Sequence, residues 1–219
     1  MMNEHFDEGH RMLTINEAAP DFKAITTHGK ISLSDFEGKW VVLFSHPADF
    51  TPVCTTEFIE FAKLHDELAG LNVQLIGLSI DSIHSHIAWI RNIEEKFGIK
   101  VPFPVIADLD MRVAKLYGMV HPGASNTSAI RCVFFIDPKR ILRAMIYYPM
   151  SNGRNMQEII RLVKALQTTD KHGVATPANW QPGDDVIVPP PSTTEKAEER
   201  IKEGYSCVDW YFCKKKIDG

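Results

Sequence analysis

One cysteine in this sequence stands where local structure would make its sulfur reactive. Thr51-Pro52-Val53-Cys54 separates an apolar run from a helical pattern. Threonine is a favoured N-cap residue, and proline suits the first helical position because its missing N–H would have no partner there. Cys54 therefore falls in the first turn of a predicted helix. Free amide hydrogens and the positive end of the helix dipole favour a thiolate at that position.

Two interpretations of Cys54 follow from this placement. In the functional one, the thiolate is a nucleophile, and the Thr51 hydroxyl is near enough in sequence to hydrogen-bond the sulfur or an incoming oxygen. In the structural one, Cys54 is a buried cysteine that merely begins a helix. The chemistry favours the functional interpretation and leaves the other open.

Arg131 is a lone cation inside the apolar run 129–136. A charge in such a run needs a partner or a place at a site. A guanidinium near a reactive sulfur would stabilise the thiolate and the charge that develops on a leaving oxygen. The residues alone leave open whether Arg131 does this or faces solvent from a strand. Cys132, which alternates with apolar residues along the same run, is predicted to lie in the core.

Strands and helices alternate along the part of the chain that must position these residues. Continuous apolar runs predict buried strands, and spacings of three and four predict helices with one apolar face. The predicted strands are 40–44, 73–78, 129–136 and 141–148, the last two as a hairpin, and the predicted helices are 83–97, 154–168 and one carrying Phe58, Phe61, Leu64, Leu68 and Leu71. This order predicts an α/β fold with a central sheet.

Composition changes near residue 170, so we place a boundary between 1–169 and 170–219. Five of the thirteen prolines fall within 172–191. This composition predicts an extended arm rather than a second independent core. A short charged helix (194–202) and an aromatic tail follow. Three successive aromatics at 210–212 suit solvent poorly, so the arm is predicted to cover the core or a partner subunit.

Charge and composition exclude several classes of function. A net charge of −4 gives no field that would draw the chain to nucleic acid or an anionic membrane. No apolar run is long enough to span a bilayer, and the N-terminus lacks the pattern of a secretory signal. We therefore expect a cytoplasmic protein. Four cysteines are too few and too scattered for a structural disulfide framework.

A longer motif surrounds the reactive cysteine. Pro47-x-x-x-Thr51-x-x-Cys54 resembles the PxxxTxxC signature of the peroxiredoxins, and FSHPADFTPVCTTE is similar to their 1-Cys-type subfamily. The similarity continues through GLSID at 77–81, PFPVIAD at 102–108 and the triple proline of the arm. The resemblance implies a thioredoxin-like fold, with a central mixed sheet flanked by helices and a C-terminal extended arm. It makes 1–169 the peroxidase domain and 170–219 a dimer-associated arm.

The resemblance also assigns roles to the motif residues. It implies that Cys54 is the peroxidatic cysteine and Thr51 its hydroxyl partner. Pro47 would shield the site, and Arg131 would be the active-site arginine that binds substrate together with Thr51. The Cys54 thiolate would attack hydrogen peroxide or an organic hydroperoxide and become a sulfenic acid. Because sulfur supplies both electrons, no cofactor or metal is expected.

Further residues have both a site interpretation and a plain one. His46 matches a subfamily histidine beside the pocket, or is structural. Glu57 orients Arg131 through an ion pair, or is an ordinary acid of the first helical turn. Arg154 matches a second family arginine, or caps the turn before it. His84 and His86 alternate, but nothing around them indicates a metal site.

The chain departs from a one-cysteine enzyme in its tail. Related prokaryotic members with such cysteines can use one to resolve the sulfenic acid, often across a dimer, so the resemblance implies Cys213 or Cys207 as the resolving residue. The alternatives are inert thiols and resolution by an external thiol. The spacing of six is also compatible with a local disulfide between the two. The expected partners are a hydroperoxide, a thiol reductant (a thioredoxin-like protein or a small thiol) and a second copy, as a homodimer or a ring of dimers.

Other functions fit the sequence less well. A redox-regulated holdase or peroxide-signalling protein on the same fold is the alternative, supported by the aromatic tail. Thioredoxin-like dithiol exchange needs a CxxC pair, whereas Glu57 stands three residues after Cys54. Lipid hydrolysis, a side activity of some family members, is not expected because 26–30 contains no serine nucleophile elbow.

Overall fold

Seven strands form one mixed β-sheet, with the two strongest apolar runs at its centre. The computed structural model describes residues 13–217. The strands are β1 (Lys23–Thr26), β2 (Gly29–Ser32), β3 (Trp40–Ser45), β4 (Val73–Ser79), β5 (Val105–Ala107), β6 (Arg131–Ile136) and β7 (Leu142–Tyr148). Their order is β2-β1-β5-β4-β3-β6-β7. The central strands β3, β4 and β5 are parallel, and every other neighbouring pair is antiparallel.

Helices cover this sheet. They are a 3-10 helix (Leu33–Phe36), α1 (Pro52–Gly70), α2 (Ile83–Phe97) and α3 (Arg112–Leu116). The first α-helix begins at the predicted residue, with Thr51 as N-cap and Pro52 in the first position. The predicted bounds of α2 are confirmed. The β6–β7 hairpin is also confirmed, although its strands, predicted over 129–136 and 141–148, begin at Arg131 and Leu142. The mixed sheet flanked by helices is the predicted fold class.

Aromatic rings fill the space between β3, β4 and α1. The Phe44 and Phe61 rings stack with centroids 4.0 Å apart, and Phe58 and Phe103 meet Phe44 edge-on. Gly77 of β4 lies directly under these rings, because a Cβ at that residue would stand 3.2 Å from Phe44 Cζ. The packing thus holds α1, which carries Cys54 in its first turn, against the sheet.

The chain divides after Arg154 into two compact units. The second contains α4 (Met156–His172), β8 (Val186–Val188), α5 (Thr194–Arg200), β9 (Ser206–Asp209) and β10 (Phe212–Lys215). Its strands form an antiparallel sheet in the order β8-β10-β9. The boundary we placed after residue 169 falls near the end of α4. This helix, predicted over 154–168, both begins and ends later, at Met156 and His172.

The second unit has features that the sequence analysis did not predict. Ala165, Val174, Trp180 and Val186 form a small apolar cluster with Ile217 packed against it. The unit therefore contains a core of its own within the predicted arm. The predicted aromatic tail is exposed in the single chain: Tyr211 is 56% and Val208 81% accessible. No helix within residues 13–217 is both long and apolar enough to cross a bilayer.

Candidate active site

Cys54 lies at the carboxyl end of β3, where the chain turns into α1. It is the third residue of that helix, in the predicted first turn, and its side chain is fully buried. The connecting loop, 46–51, carries Pro47, which is also buried. Ligand sites of open α/β sheets form at this end of the strands. The amide hydrogens of the first helical turn have no partners within the helix and are oriented toward its N-terminal end.

Arg131, the first residue of β6, faces Cys54 and not the solvent. Its Nη1 lies 3.4 Å from the Cys54 Sγ and 2.6 Å from Glu57 Oε2. Its Nε donates to the Met150 carbonyl at 2.9 Å, and the residue is 2% exposed. These contacts hold the guanidinium plane against the sulfur. The structure thereby favours the site interpretation of this arginine over the surface one.

Glu57 links two buried arginines. It lies in the second turn of α1, so its interpretation as a first-turn acid is wrong. Arg154 Nη2 and Nε donate to its two carboxylate oxygens at 2.6 and 2.8 Å, and Nη1 of Arg154 donates to the carbonyls of Ser45 and Cys132. Arg154 thus joins β3, β6 and α1 and does not merely cap a turn.

The charges in this cluster do not cancel. Burial alone would raise the pKa of Glu57, but the guanidinium groups of Arg154 and Arg131 outweigh burial and hold that pKa below its ordinary value. Two guanidiniums and one carboxylate then leave one positive charge in excess beside the Cys54 sulfur. An uncompensated buried positive charge favours an anion next to it. Chemically, this arrangement can stabilise a thiolate and an oxyanion.

Thr51 has the predicted position, but its hydroxyl does not donate to the Cys54 sulfur, and the hydrogen bond to an incoming oxygen stays a prediction. Its hydroxyl donates to the Ala48 carbonyl at 2.9 Å and does not cap a helical amide. The hydroxyl hydrogen therefore holds the loop together instead of contacting the sulfur. The oxygen of this hydroxyl retains its lone pairs for an incoming group.

His46 belongs to a buried cluster that the sequence analysis missed. Its Nε2 lies 2.9 Å from Asp49 Oδ1, and His86 Nδ1 lies 2.8 Å from Asp49 Oδ2. The sequence singled out neither Asp49 nor the role of His86. The spacing of His86, Trp89 and Ile93 does place His86 on the buried face of α2, and that was the available signal.

The same three residues form a potential ligand set. Their ligand atoms lie within 4.8 Å of one another. Within residues 13–217, no other group of three or more His, Cys, Asp or Glu side chains is placed to hold a metal ion. Two imidazoles and a carboxylate suit zinc and similar ions. Hydrogen bonds also join the three residues, while His46 Nδ1 is buried with no partner among the described residues. The expectation of a metal-free site stays a prediction.

Comparison with known proteins decides what this site belongs to. Residues 15–145 match the AhpC/TSA family and residues 165–204 match the C-terminal domain of 1-Cys peroxiredoxin. A peroxiredoxin of Aquifex aeolicus is 60% identical over 214 residues, covering 93% of this chain and 96% of that protein. A peroxiredoxin of Methanosarcina mazei is 57% identical, covering 94% and 98%.

The chain belongs to the peroxiredoxin family. Its fold agrees with solved members: a yeast mitochondrial 1-Cys peroxiredoxin has a TM-score of 0.85 and 46% identity, covering 94% of this chain and all of that one. The C45S mutant of peroxiredoxin 6 of Arenicola marina has a TM-score of 0.84 and 36% identity, with the same coverage. The fold is thus thioredoxin-like and the protein is a thiol-dependent peroxidase. The holdase alternative is not favoured by these relationships.

The peroxiredoxin has three further cysteines in two different environments. Cys132 is buried in the core as predicted, and burial raises the pKa of its thiol to about 12. Burial thus disfavours the thiolate, which is the nucleophilic form of this group. Cys207 and Cys213 are paired across β9 and β10 and form a disulfide with an S–S distance of 2.06 Å. The local disulfide that their spacing allowed is therefore present.

Proposed function

We propose that this peroxiredoxin reduces hydrogen peroxide and organic hydroperoxides by attack of the Cys54 thiolate on the O–O bond. The sulfur forms a bond to the nearer oxygen, the O–O bond breaks, and the farther oxygen leaves with the electron pair and takes up a proton as water or alcohol. Cys54 becomes a sulfenic acid. The observation that carries this proposal is the buried Arg131 guanidinium 3.4 Å from the Cys54 sulfur.

The neighbouring residues supply orientation and charge. Arg131 stabilises the thiolate and the developing charge on the peroxide oxygens. Glu57 and Arg154 support this role because they fix the Arg131 side chain while leaving a positive charge in excess. In this proposal Thr51 accepts a hydrogen bond from the peroxide, and Pro47 shields the site from water.

Resolution of the sulfenic acid follows in two exchange steps. A tail thiol, Cys213 or Cys207, attacks the sulfenic sulfur of Cys54, which releases water and forms a mixed disulfide. The second tail thiol then displaces Cys54 and leaves the Cys207–Cys213 disulfide. The disulfide found between these residues supports this order because it is the end product of the exchange.

An external thiol closes the cycle by reducing the tail disulfide. The reductant is a thioredoxin-like protein or a small thiol. The yeast mitochondrial relative is resolved via glutathione/thioredoxin systems, which supports this choice. We further propose that the chain acts in the cytoplasm as a homodimer, with a ring of dimers as the larger alternative. Sulfur supplies both electrons, so no cofactor or metal takes part.

The test is peroxide consumption by Cys54→Ser, with Cys132→Ser as the matched control. The wild type and the control should consume hydrogen peroxide at the same rate when a thioredoxin system supplies electrons. The Cys54→Ser protein should consume none above the background of the reductant. Full activity of Cys54→Ser would contradict the proposal.

A further inference from the structure

We propose that His86 is a positioning residue for the active-site loop 46–51, acting through Asp49. This inference rests on the proposed function of Cys54, which lies just beyond the loop. His86 is fully buried on α2 and does not contact the reacting sulfur. Its two ring nitrogens instead contact two different elements of the fold.

The imidazole of His86 bridges the loop and the sheet. Nδ1 lies 2.8 Å from Asp49 Oδ2 and 3.0 Å from Oδ1, and Nε2 lies 3.0 Å from the Ile106 carbonyl of β5. Asp49 is thereby fixed relative to both α2 and β5. Because this carboxylate is buried, losing its donors would leave a costly unpaired group.

The acceptors around His86 define where its hydrogens lie. A backbone carbonyl only accepts, so Nε2 carries a hydrogen toward Ile106. Burial alone would raise the pKa of Asp49, but hydrogen bonds from His46 and His86 hold it well below its ordinary value. The Asp49 carboxylate also only accepts, so both ring nitrogens of His86 face acceptors. These two contacts orient the ring between the loop and the sheet.

The loop requires such a constraint because its backbone is strained. Phe50 has a φ of 54°, in the left-handed region that bulky residues avoid. Its side chain is 58% exposed, so packing does not hold it there. The preceding residue is held instead. The Asp49 carboxylate is hydrogen-bonded to His46 and His86, and the Asp49 amide donates to Asp81 Oδ2 at 3.0 Å. A strained backbone persists where the contacts of neighbouring residues hold it in place. The position of Phe50 matters because the next residue, Thr51, is the N-cap of the helix that carries Cys54.

The experiment compares variants of His86 with matched variants of His84, an exposed residue on the same helix. His86→Leu removes both ring nitrogens, whereas His86→Asn keeps a donor at the position of Nδ1. Asp49→Asn breaks the same contact from the loop side. Two quantities are measured on each full-length protein: hydrogen exchange of a peptide covering 46–51, and the rate constant of Cys54 oxidation by hydrogen peroxide in the first turnover.

We expect His86→Leu to speed exchange in 46–51 and to slow Cys54 oxidation by about ten- to a hundredfold, since small displacements of reacting groups have effects of this size. His86→Asn should recover most of both losses. Asp49→Asn should match His86→Leu, and the double variant should be no slower than either one, as expected for residues that act through one contact. His84→Leu should behave as the wild type.

Several results would overturn the proposal. One is oxidation of Cys54 in the His86→Leu protein at the wild-type rate. Another is equal exchange and oxidation rates in His86→Asn and His86→Leu, which would mean that the ring only fills space and that its hydrogen bonds have no effect. If His86→Leu does not fold, unchanged exchange in 46–51 of the Asp49→Asn protein would overturn the proposal equally. Stoichiometric zinc in the purified protein, bound by His46, Asp49 and His86, would also overturn the proposal, because these residues would then be metal ligands and not hydrogen-bond partners. If the peroxidase proposal alone is wrong, Cys54 oxidation is slow in every protein, but His86→Leu still speeds hydrogen exchange in 46–51.

Discussion

At the residue scale, the reactivity of Cys54 depends on which nearby charge dominates. A unit charge about 4 Å away contributes roughly 4 kcal/mol at an effective dielectric constant of about 20. A helix dipole contributes about 0.3–1 kcal/mol, and up to roughly 2 kcal/mol when partly buried. The Glu57 carboxylate, 2.6 Å from Arg131 Nη1, offsets part of the guanidinium charge, so Arg131 and the helix N-terminus act together on the anionic sulfur.

Replacing Arg131 by Lys should slow the oxidation of Cys54 by hydrogen peroxide by about a hundredfold or more. An ammonium cannot contact the Cys54 sulfur, the Glu57 carboxylate and the Met150 carbonyl together as the guanidinium fork does. Stopped-flow kinetics on the reduced protein measures the rate constant. Arg91→Lys, an exposed change on α2, is the control. Equal rates for Arg131→Lys and wild type would remove Arg131 from the mechanism.

Glu57→Gln should destabilise the protein by about 3–5 kcal/mol at neutral pH, because it leaves two buried guanidiniums without their carboxylate. An acid whose pKa is lowered on folding adds stability that is complete above its unfolded value of 4.5 and is lost as the pH falls through the folded value. The difference between wild type and Glu57→Gln in urea unfolding should therefore shrink in acid. A pH-independent difference would contradict this account.

At the scale of elements, the sequence predicted what is continuous and local. β3 and β4 are unbroken apolar runs, and the start of α1 has a cap and a proline, so both were found. β1, β5 and the three strands of the second unit are only three or four residues long, and β1 alternates in exposure. Such short segments carry too little periodicity to identify.

The site divides in the same way. Thr51 and Cys54 are close in sequence, so their spacing revealed them. Arg131 is 77 residues from Cys54, and Arg154 is 97 residues from Glu57. The contacts of these pairs depend on strand order, which local patterns do not encode. The apolar run around it singled out Arg131, the resemblance added its role and supplied Arg154, and neither of them supplied Asp49.

Gly77→Ala should destabilise the protein by about 1–3 kcal/mol. The added methyl would stand 3.2 Å from Phe44 Cζ and 3.4 Å from Phe58 Cζ, both in a tightly packed aromatic cluster. Thermal or urea unfolding measures the change, and Gly70→Ala, which meets nothing within 4 Å at the end of α1, is the control. A Gly77→Ala protein as stable as wild type would show that the rings have room to move.

At the scale of the whole molecule, the second unit presents apolar surface to solvent. Val208, Trp210 and Tyr211 are 81%, 40% and 56% exposed in the single chain. Exposed apolar surface of this kind marks an interaction site. We expect a second copy of the chain to cover it. Sedimentation velocity should show a dimer for wild type and a shift toward monomer for Trp210→Ser with Tyr211→Ser. An unchanged dimer would place the interface elsewhere.

The tail cysteines test the proposed cycle at the same scale. Cys207→Ser should trap a disulfide between Cys54 and Cys213 after one addition of peroxide, because no second tail thiol is left to release it. Cys213→Ser should instead trap Cys54 with Cys207 if either thiol can attack. Non-reducing gels and peptide mapping identify the pair. Absence of any Cys54 disulfide in both variants would assign resolution to an external thiol.

The most direct test of the central claim is the rate at which hydrogen peroxide oxidises reduced Cys207→Ser/Cys213→Ser protein, with the oxidised residue identified by mass spectrometry. In that protein Cys54 and Cys132 are the remaining cysteines. We predict one added oxygen, on Cys54, and a rate constant about a thousandfold or more above that of free cysteine, the size of effect that preorganised charge gives. Oxidation at Cys132, or a Cys54 rate equal to that of free cysteine, would contradict the account.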